Sequence, residues 1–162
     1  MKTLKKIMFL AVAIFSLVLS SSCSSDSSSE DNIDESTSTE GYIKFKYNGV
    51  VYNFEPSIGT SGSINIMGYE GIDDTLKSIS IWLPLDFTTG THPIVYDLSK
   101  LGTIYTANFT FKPEINNISA TSGTVNITEK SDKKIAGTFS FSGTRDGKTF
   151  VITEGSFSAP KF

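Results

Sequence analysis

An Asn-Gly pair between two alternating apolar runs constrains this chain more than any other feature. Tyr42-Ile43-Lys44-Phe45-Lys46-Tyr47 alternates, Asn48-Gly49 follows, and Val50-Val51-Tyr52-Asn53-Phe54 alternates again. Asn and Gly both tolerate the positive φ that a two-residue type I′ turn needs at its central positions, so the segment predicts a tight β-hairpin. Such a turn sets Tyr47 opposite Val50, Phe45 opposite Tyr52 and Ile43 opposite Phe54. The apolar parities of the two strands then share a face, and Lys44 and Lys46 mark the wet one.

Further strands are predicted over residues 63–69, 77–85, 103–112, 123–129, 134–142 and 148–157, each bounded by Gly, Asp, Pro or Ser clusters. The clearest alternation puts Ile135, Gly137, Phe139 and Phe141 inward against Ala136, Thr138, Ser140 and Ser142. Tyr105, Ala107, Phe109 and Phe111 repeat it, with Thr106, Asn108 and Thr110 between them. No segment after Cys23 carries a helical period, and 12 Phe and 6 Tyr set among Ser, Thr, Gly and Asn make a strand composition. The fold class expected is therefore all-β: a single antiparallel β-sandwich over residues 41–162, with a closed or partly open β-barrel as the alternative. Its expected core is Phe45, Tyr52, Ile79, Ile81, Leu83, Phe109, Phe111, Phe139, Phe141 and Ile152. A chain of 162 residues has room for one such domain.

The segment ahead of this domain reads as an address. Lys2, Lys5 and Lys6 precede an apolar run over residues 7–19, then Ser20-Ser21-Ser22 and Cys23, the sole cysteine. That is the order of a secretory signal, over residues 1–22. As a helix the apolar run would rise about 20 Å, short of the roughly 30 Å of a hydrocarbon core. Small residues directly before a lone cysteine resemble the lipobox of bacterial lipoproteins, although Ser20 stands where that motif usually has Leu and Leu19 sits one place further back. The resemblance implies a diacylglycerol on the Cys23 sulfur and a membrane reached through covalent lipid; the alternative is a plain signal peptide that leaves a free thiol. Two or three acyl chains, at about 0.8 kcal/mol per buried CH₂, make such an anchor effectively permanent.

Residues 24–40 hold Ser, Asp, Glu, Thr and Asn with a single Ile33, too little apolar area to offset the entropy of ordering them. With Cys23 they are expected to form a flexible tether with a reach of roughly 20–25 Å. Ser24 after the lipidated cysteine resembles the preference of outer-membrane lipoproteins, and the acidic run resembles signals for export to the cell surface. Simple solvation of a linker is the other reading of that run. From residue 41 onward, 11 basic residues balance 11 acidic ones, so no basic field invites nucleic acid.

Recognisable catalytic patterns are scarce. His92, the sole histidine, lies in Gly90-Thr91-His92-Pro93, read as a turn-like surface loop, and no G-x-S-x-G elbow accompanies it. Asp73-Asp74 lacks the spaced ladder of a calcium loop and reads as a solvated turn. With one histidine and one acylated cysteine the usual zinc sites are excluded, and no cofactor is implied. Sequence alone cannot set a carboxylate pair such as Asp86 and Glu114 at a hydrolytic separation. Asn108, Asn117 and Asn126 match the N-glycosylation pattern, which a bacterial lipoprotein would not normally have read.

Trp82 is the one side chain on an unexpected face. In the run over residues 77–85 it shares parity with Ser78, Ser80 and Pro84, opposite Ile79, Ile81, Leu83 and Leu85. If the isoleucines face the core, Trp82 faces water or a neighbouring loop, and with Tyr69 it could form a ligand-binding surface. A bulge that shifts the register, or a loop including Phe87 that folds over the indole, would bury it instead.

The meander over residues 123–157, with Gly-Thr-Val-Asn-Ile-Thr, Ile-Ala-Gly-Thr-Phe-Ser-Phe-Ser, Asp-Gly-Lys and Val-Ile-Thr-Glu-Gly-Ser-Phe, resembles the carboxy-terminal signature of a family of small bacterial lipoproteins known only as a domain of unknown function. The resemblance implies an exported all-β domain and no activity. Three roles are open at this point: a non-catalytic domain that binds a protein or glycan at the cell surface, a structural envelope protein without a discrete ligand, and a carboxylate-based hydrolase.

Overall fold

The hairpin around Asn48-Gly49 forms in the predicted register, with Tyr47 opposite Val50, Phe45 opposite Tyr52 and Ile43 opposite Phe54. Asn48 and Gly49 take φ of 48° and 80°, the positive values the turn demands. The structure, a computed structural model, describes residues 41–161; the predicted signal, Cys23 and tether lie outside the described residues.

Eleven strands are described: β1 (Tyr42–Tyr47), β2 (Val50–Phe54), β3 (Pro56–Thr60), β4 (Ile64–Glu70), β5 (Lys77–Leu83), β6 (Gly90–Pro93), β7 (Thr106–Phe111), β8 (Ile115–Ser119), β9 (Ser122–Lys130), β10 (Lys134–Arg145) and β11 (Lys148–Pro160). They form two antiparallel sheets, in the orders β2-β1-β11-β10-β9-β6 and β3-β4-β5-β7-β8. Both sheets keep free edges, so the sandwich forms and the closed barrel does not.

The core lies where the two inner faces meet. Phe109, projecting from β7, is its centre. Phe45 and Tyr47 of β1 approach it edge-on at 6.0 and 4.9 Å between ring centroids, and Phe150 of β11 lies at 5.1 Å. Such pairs add about 0.5–1.5 kcal/mol each beyond the area they bury. Of the expected core, Phe45, Ile79, Ile81, Leu83, Phe109, Phe139, Phe141 and Ile152 are buried. Tyr52 and Phe111 are only half-buried and pack against the cluster. They stack edge-on at 5.4 Å, and the Lys77 ammonium stands 5.6 and 5.5 Å over their rings, so a charged stem closes this flank.

Three strands escaped the sequence: β3, β6 and β8. All three are sheet edges. They are short and carry Pro56, Gly59, Gly90, Pro93 and Asn117, which weaken a strand pattern yet suit an edge that must not recruit a further strand. The predicted strand over 77–85 stops at Leu83 because Pro84 has no N–H to offer the ladder, which leaves Leu85 exposed. The strand expected from position 103 starts at Thr106.

Candidate functional site

Trp82 does stand on the outer face of the five-stranded sheet. The ladders from β4 to β5 and from β5 to β7 run without a shift, pairing Trp82 with Asn65 on one side and Thr106 on the other. No bulge rotates the indole inward. Phe87 does not cover it either, because Phe87 turns into the core and is 2% exposed. The indole is nevertheless half-buried, and a different segment lines a cavity with it.

That segment, residues 94–105, runs from β6 of one sheet to β7 of the other. Asp97 organises it: its carboxylate accepts from the Ser99 N–H at 3.0 Å and the Ser99 hydroxyl at 2.7 Å. These bonds hold the Asp97 carboxyl below the usual carboxylate range, since they favour its charged form. A 3-10 turn over Leu98–Lys100 follows, closed by Lys100 N–H to Asp97 O at 3.1 Å and Thr103 N–H to Lys100 O at 3.0 Å. The turn presents Tyr96, Leu98 and Leu101 at the surface, 48%, 67% and 55% exposed. Three large apolar side chains beside a half-exposed tryptophan are a concentration that scattered surface residues do not make.

Polar groups complete the floor. On β8 a bulge places two residues, Asn116 and Asn117, opposite Thr110 alone, and Asn117 takes the left-handed φ of 48° there. Its N–H donates to the Thr110 hydroxyl at 3.1 Å instead of a ladder carbonyl. Its side chain thereby meets Asn108, whose amide donates to Asn117 Oδ1 at 3.1 Å. Bulges commonly re-aim side chains in this way. Thr106 and Thr110, expected to alternate outward, are each only 6% exposed: Thr106 lines the cavity, and the Thr110 hydroxyl accepts the Asn117 N–H of the bulge.

The result is a cavity of about 370 Å³, bounded by Trp82, Thr106, Asn108, Asn117 and Ser119 on the sheet, Tyr96, Leu98, Leu101 and Gly102 on the overhanging segment, and Ser63 and Arg145 at the ends. It falls at the lower end of the roughly 300–1,000 Å³ typical of small-ligand pockets. Arg145, at the tip of the β10–β11 hairpin, brings the only formal charge of the lining among the described residues; its Nε lies 3.6 Å from Asp146, with both side chains exposed. Beside the cavity, Asn65 Oδ1 is the one buried side-chain oxygen or nitrogen among the described residues without a hydrogen-bond partner.

The other candidates fall elsewhere. Tyr69 shares the outer face and is 58% exposed, but it pairs with Ser78, four residues or about 13 Å along β5 from Trp82, and does not line the cavity. The aromatic residue that shares the cavity with Trp82 is Tyr96, while Tyr69 stands on the same face outside it. His92 is not in a loop: it pairs with Val125 in edge strand β6, stacks on Tyr105 at 4.1 Å, and its Nε2 lies 2.9 Å from Thr88 O. That packing makes it a half-buried part of the β6 flank. Asp73 and Asp74 occupy an exposed 3-10 turn, and Asp86 and Glu114 are exposed and outside the cavity. Among the described residues no cluster of three or more His, Cys, Asp or Glu could hold a metal ion.

Tyr96, Leu98, Leu101, Asn117 and Arg145 were not legible as site residues. Their one sequence signal is Asp97-Leu98-Ser99, a local capping pattern that fixes a loop and exposes its Leu.

Fold and groove together define an antiparallel β-sandwich with a mixed aromatic and amide recess on one outer face. Over residues 42–159 the chain matches the family described as a domain of unknown function, DUF6252, and it belongs to that family. No curated protein and no solved structure matches it.

Proposed function

We propose that the chain is a lipid-anchored envelope protein whose β domain binds a ligand, without catalysis, in the groove around Trp82. The anchor rests on the sequence: a basic start, an apolar run too short to span, small residues, and Cys23 as acceptor of the lipid. Ser24 favours the outer membrane as its destination, and the acidic tether favours display at the cell surface. One observation carries the binding half. An indole on the wet face of a strand is overhung by Tyr96, Leu98 and Leu101 and faced by Asn108 and Asn117, an apolar recess with a few convergent polar groups. The lining holds no carboxylate, histidine or cysteine among the described residues, which favours recognition over acid–base or nucleophilic chemistry.

Labelling with a fatty-acid probe tests the anchor. The wild-type chain is expected to be labelled and cleaved, and Cys23→Ser to be unlabelled and to keep its signal; a wild-type chain released unlabelled contradicts the anchor. For the groove, an envelope extract should shield Trp82 from acrylamide, and Asn108→Ala should lose that shielding without losing stability. Equal quenching with and without extract would remove the binding reading.

A further inference from the structure

We infer that the occupant of the groove is a carbohydrate ring, and that sugars carrying a carboxylate are preferred. This rests on the groove being a binding site and adds the chemistry of its ligand. A sugar ring offers an apolar C–H face and a rim of hydroxyls, each both donor and acceptor. The groove's lining offers the complement: the Trp82 indole and the Tyr96 phenol as flat apolar plates, with amides and hydroxyls in the same lining.

Asn108 and Asn117 spend one donor and one acceptor on each other. The Asn108 oxygen, its second N–H and both Asn117 N–H groups are left for a ligand, beside the hydroxyls of Thr106, Ser119 and Ser63. Four amide positions of mixed polarity suit vicinal hydroxyls better than an aliphatic side chain, which would cover them and leave them unpaired. The mutual Asn108–Asn117 bond also holds both amides in place before any ligand arrives, which lowers the ordering cost of binding.

Charge narrows the class further. Among the described residues Arg145 is the sole charged side chain of the lining, so the cavity wall itself offers a ligand a positive charge and no carboxylate. Its present pair with Asp146 is long, at 3.6 Å, and exposed, which makes it weak and easily exchanged. A planar guanidinium can take a ligand carboxylate through two parallel N–H bonds. The cavity of about 370 Å³ suits a single ring or chain end and not a long stretch of polymer.

Trp82 is the only tryptophan, so the fluorescence of the full chain in detergent reports on this groove alone. The probes are D-glucose, D-glucuronate, and a bacterial envelope extract left intact, oxidised with periodate to destroy vicinal diols, or digested with protease. The expected results are shielding from acrylamide that periodate abolishes and protease does not, and saturable shifts with D-glucuronate at roughly tenfold lower concentration than with D-glucose. Arg145→Gln, a change at an exposed tip, should erase that tenfold advantage, so that D-glucuronate and D-glucose act over the same concentration range. Shielding that survives periodate and falls to protease would put a protein in the groove, overturning the carbohydrate and keeping the binding reading. No shielding by any extract would overturn both, and an Arg145→Gln chain that still prefers D-glucuronate would overturn the preference for a carboxylate.

Discussion

The two outer faces of the sandwich are built from the same kinds of residue and are not equivalent. The six-stranded sheet exposes a recess of about 410 Å³ bounded by Thr124, Asn126, Thr138, Ser140, Glu154 and Ser156 over the backbone of Phe139 and Gly155. It is slightly larger than the groove on the five-stranded sheet, yet among the described residues no indole or phenol lines it and no connecting segment does. Both depend on a β-bulge with a non-glycine residue in the left-handed region. On β8 the bulge turns Asn117 toward Asn108; on β11 it puts Glu154, at φ 52°, beside Lys46, with 2.9 Å between their charged atoms. One bulge assembles convergent amides under an aromatic wall, and the other makes a surface ion pair. Concavity is therefore a poor guide here, and what a bulge aims its side chain at is a better one.

The sharpest way to break this comparison is through the core that both faces share. Phe109→Ala should cost about 3–5 kcal/mol, because four aromatic neighbours lose their common partner, and Phe141→Ala should cost a similar amount. Urea denaturation followed by circular dichroism measures both; a loss below about 1 kcal/mol would mean that the sheets do not meet at these rings. Trp82→Ala, by contrast, should cost only about 1–2 kcal/mol, since the indole is half-buried and the ladder around it is unbroken. It should abolish binding in the groove, read by calorimetry.

Next in size is the bulge on β8. Asn117→Ala forces a Cβ residue without a local hydrogen bond into the left-handed region, at about 1–2 kcal/mol, while Asn117→Gly keeps the backbone and loses the side chain. Asn117→Gly should therefore be nearly as stable as the wild type and still bind poorly. On the opposite face, Glu154→Gly should change stability by less than about 1 kcal/mol, relief at a positive φ offsetting a weak exposed pair, with no effect on the groove.

Much of the sandwich was legible, and for definite reasons. Strands that are buried on one face must alternate, so β1, β2, β5, β7, β10 and β11 announced themselves, and Asn48-Gly49 fixed a register that formed as expected. The edges β3, β6 and β8 did not, because a short strand with one neighbour needs neither length nor alternation, and Gly90 to Pro93 reads equally well as a turn; β2, also an edge, was legible through the Asn48-Gly49 turn that joins it to β1. The groove was half legible. Parity put Trp82 outside, which is where it stands. Its companion could not be found from parity, because Tyr96 comes from a segment that crosses between sheets, and Arg145 reaches the site only because β10 and β11 form a hairpin long enough to bring its tip there.

A smaller effect links the overhanging segment to pH. The Asp97 carboxyl is held below its ordinary range by Ser99, so what it contributes is complete above the unfolded value near 3.8 and is lost as pH falls through the lowered folded value. Trp82 should accordingly become easier to quench in strong acid before the sandwich unfolds, and Asp97→Ala should make quenching independent of pH in that window.

The most direct test of the central claim, that Trp82 lies in an open groove on the outer face, is acrylamide quenching of the wild-type chain at neutral pH. The account predicts red-shifted emission quenched at a rate between those of a free indole and a buried one. Blue-shifted emission that resists quenching would place the indole in the core and contradict it.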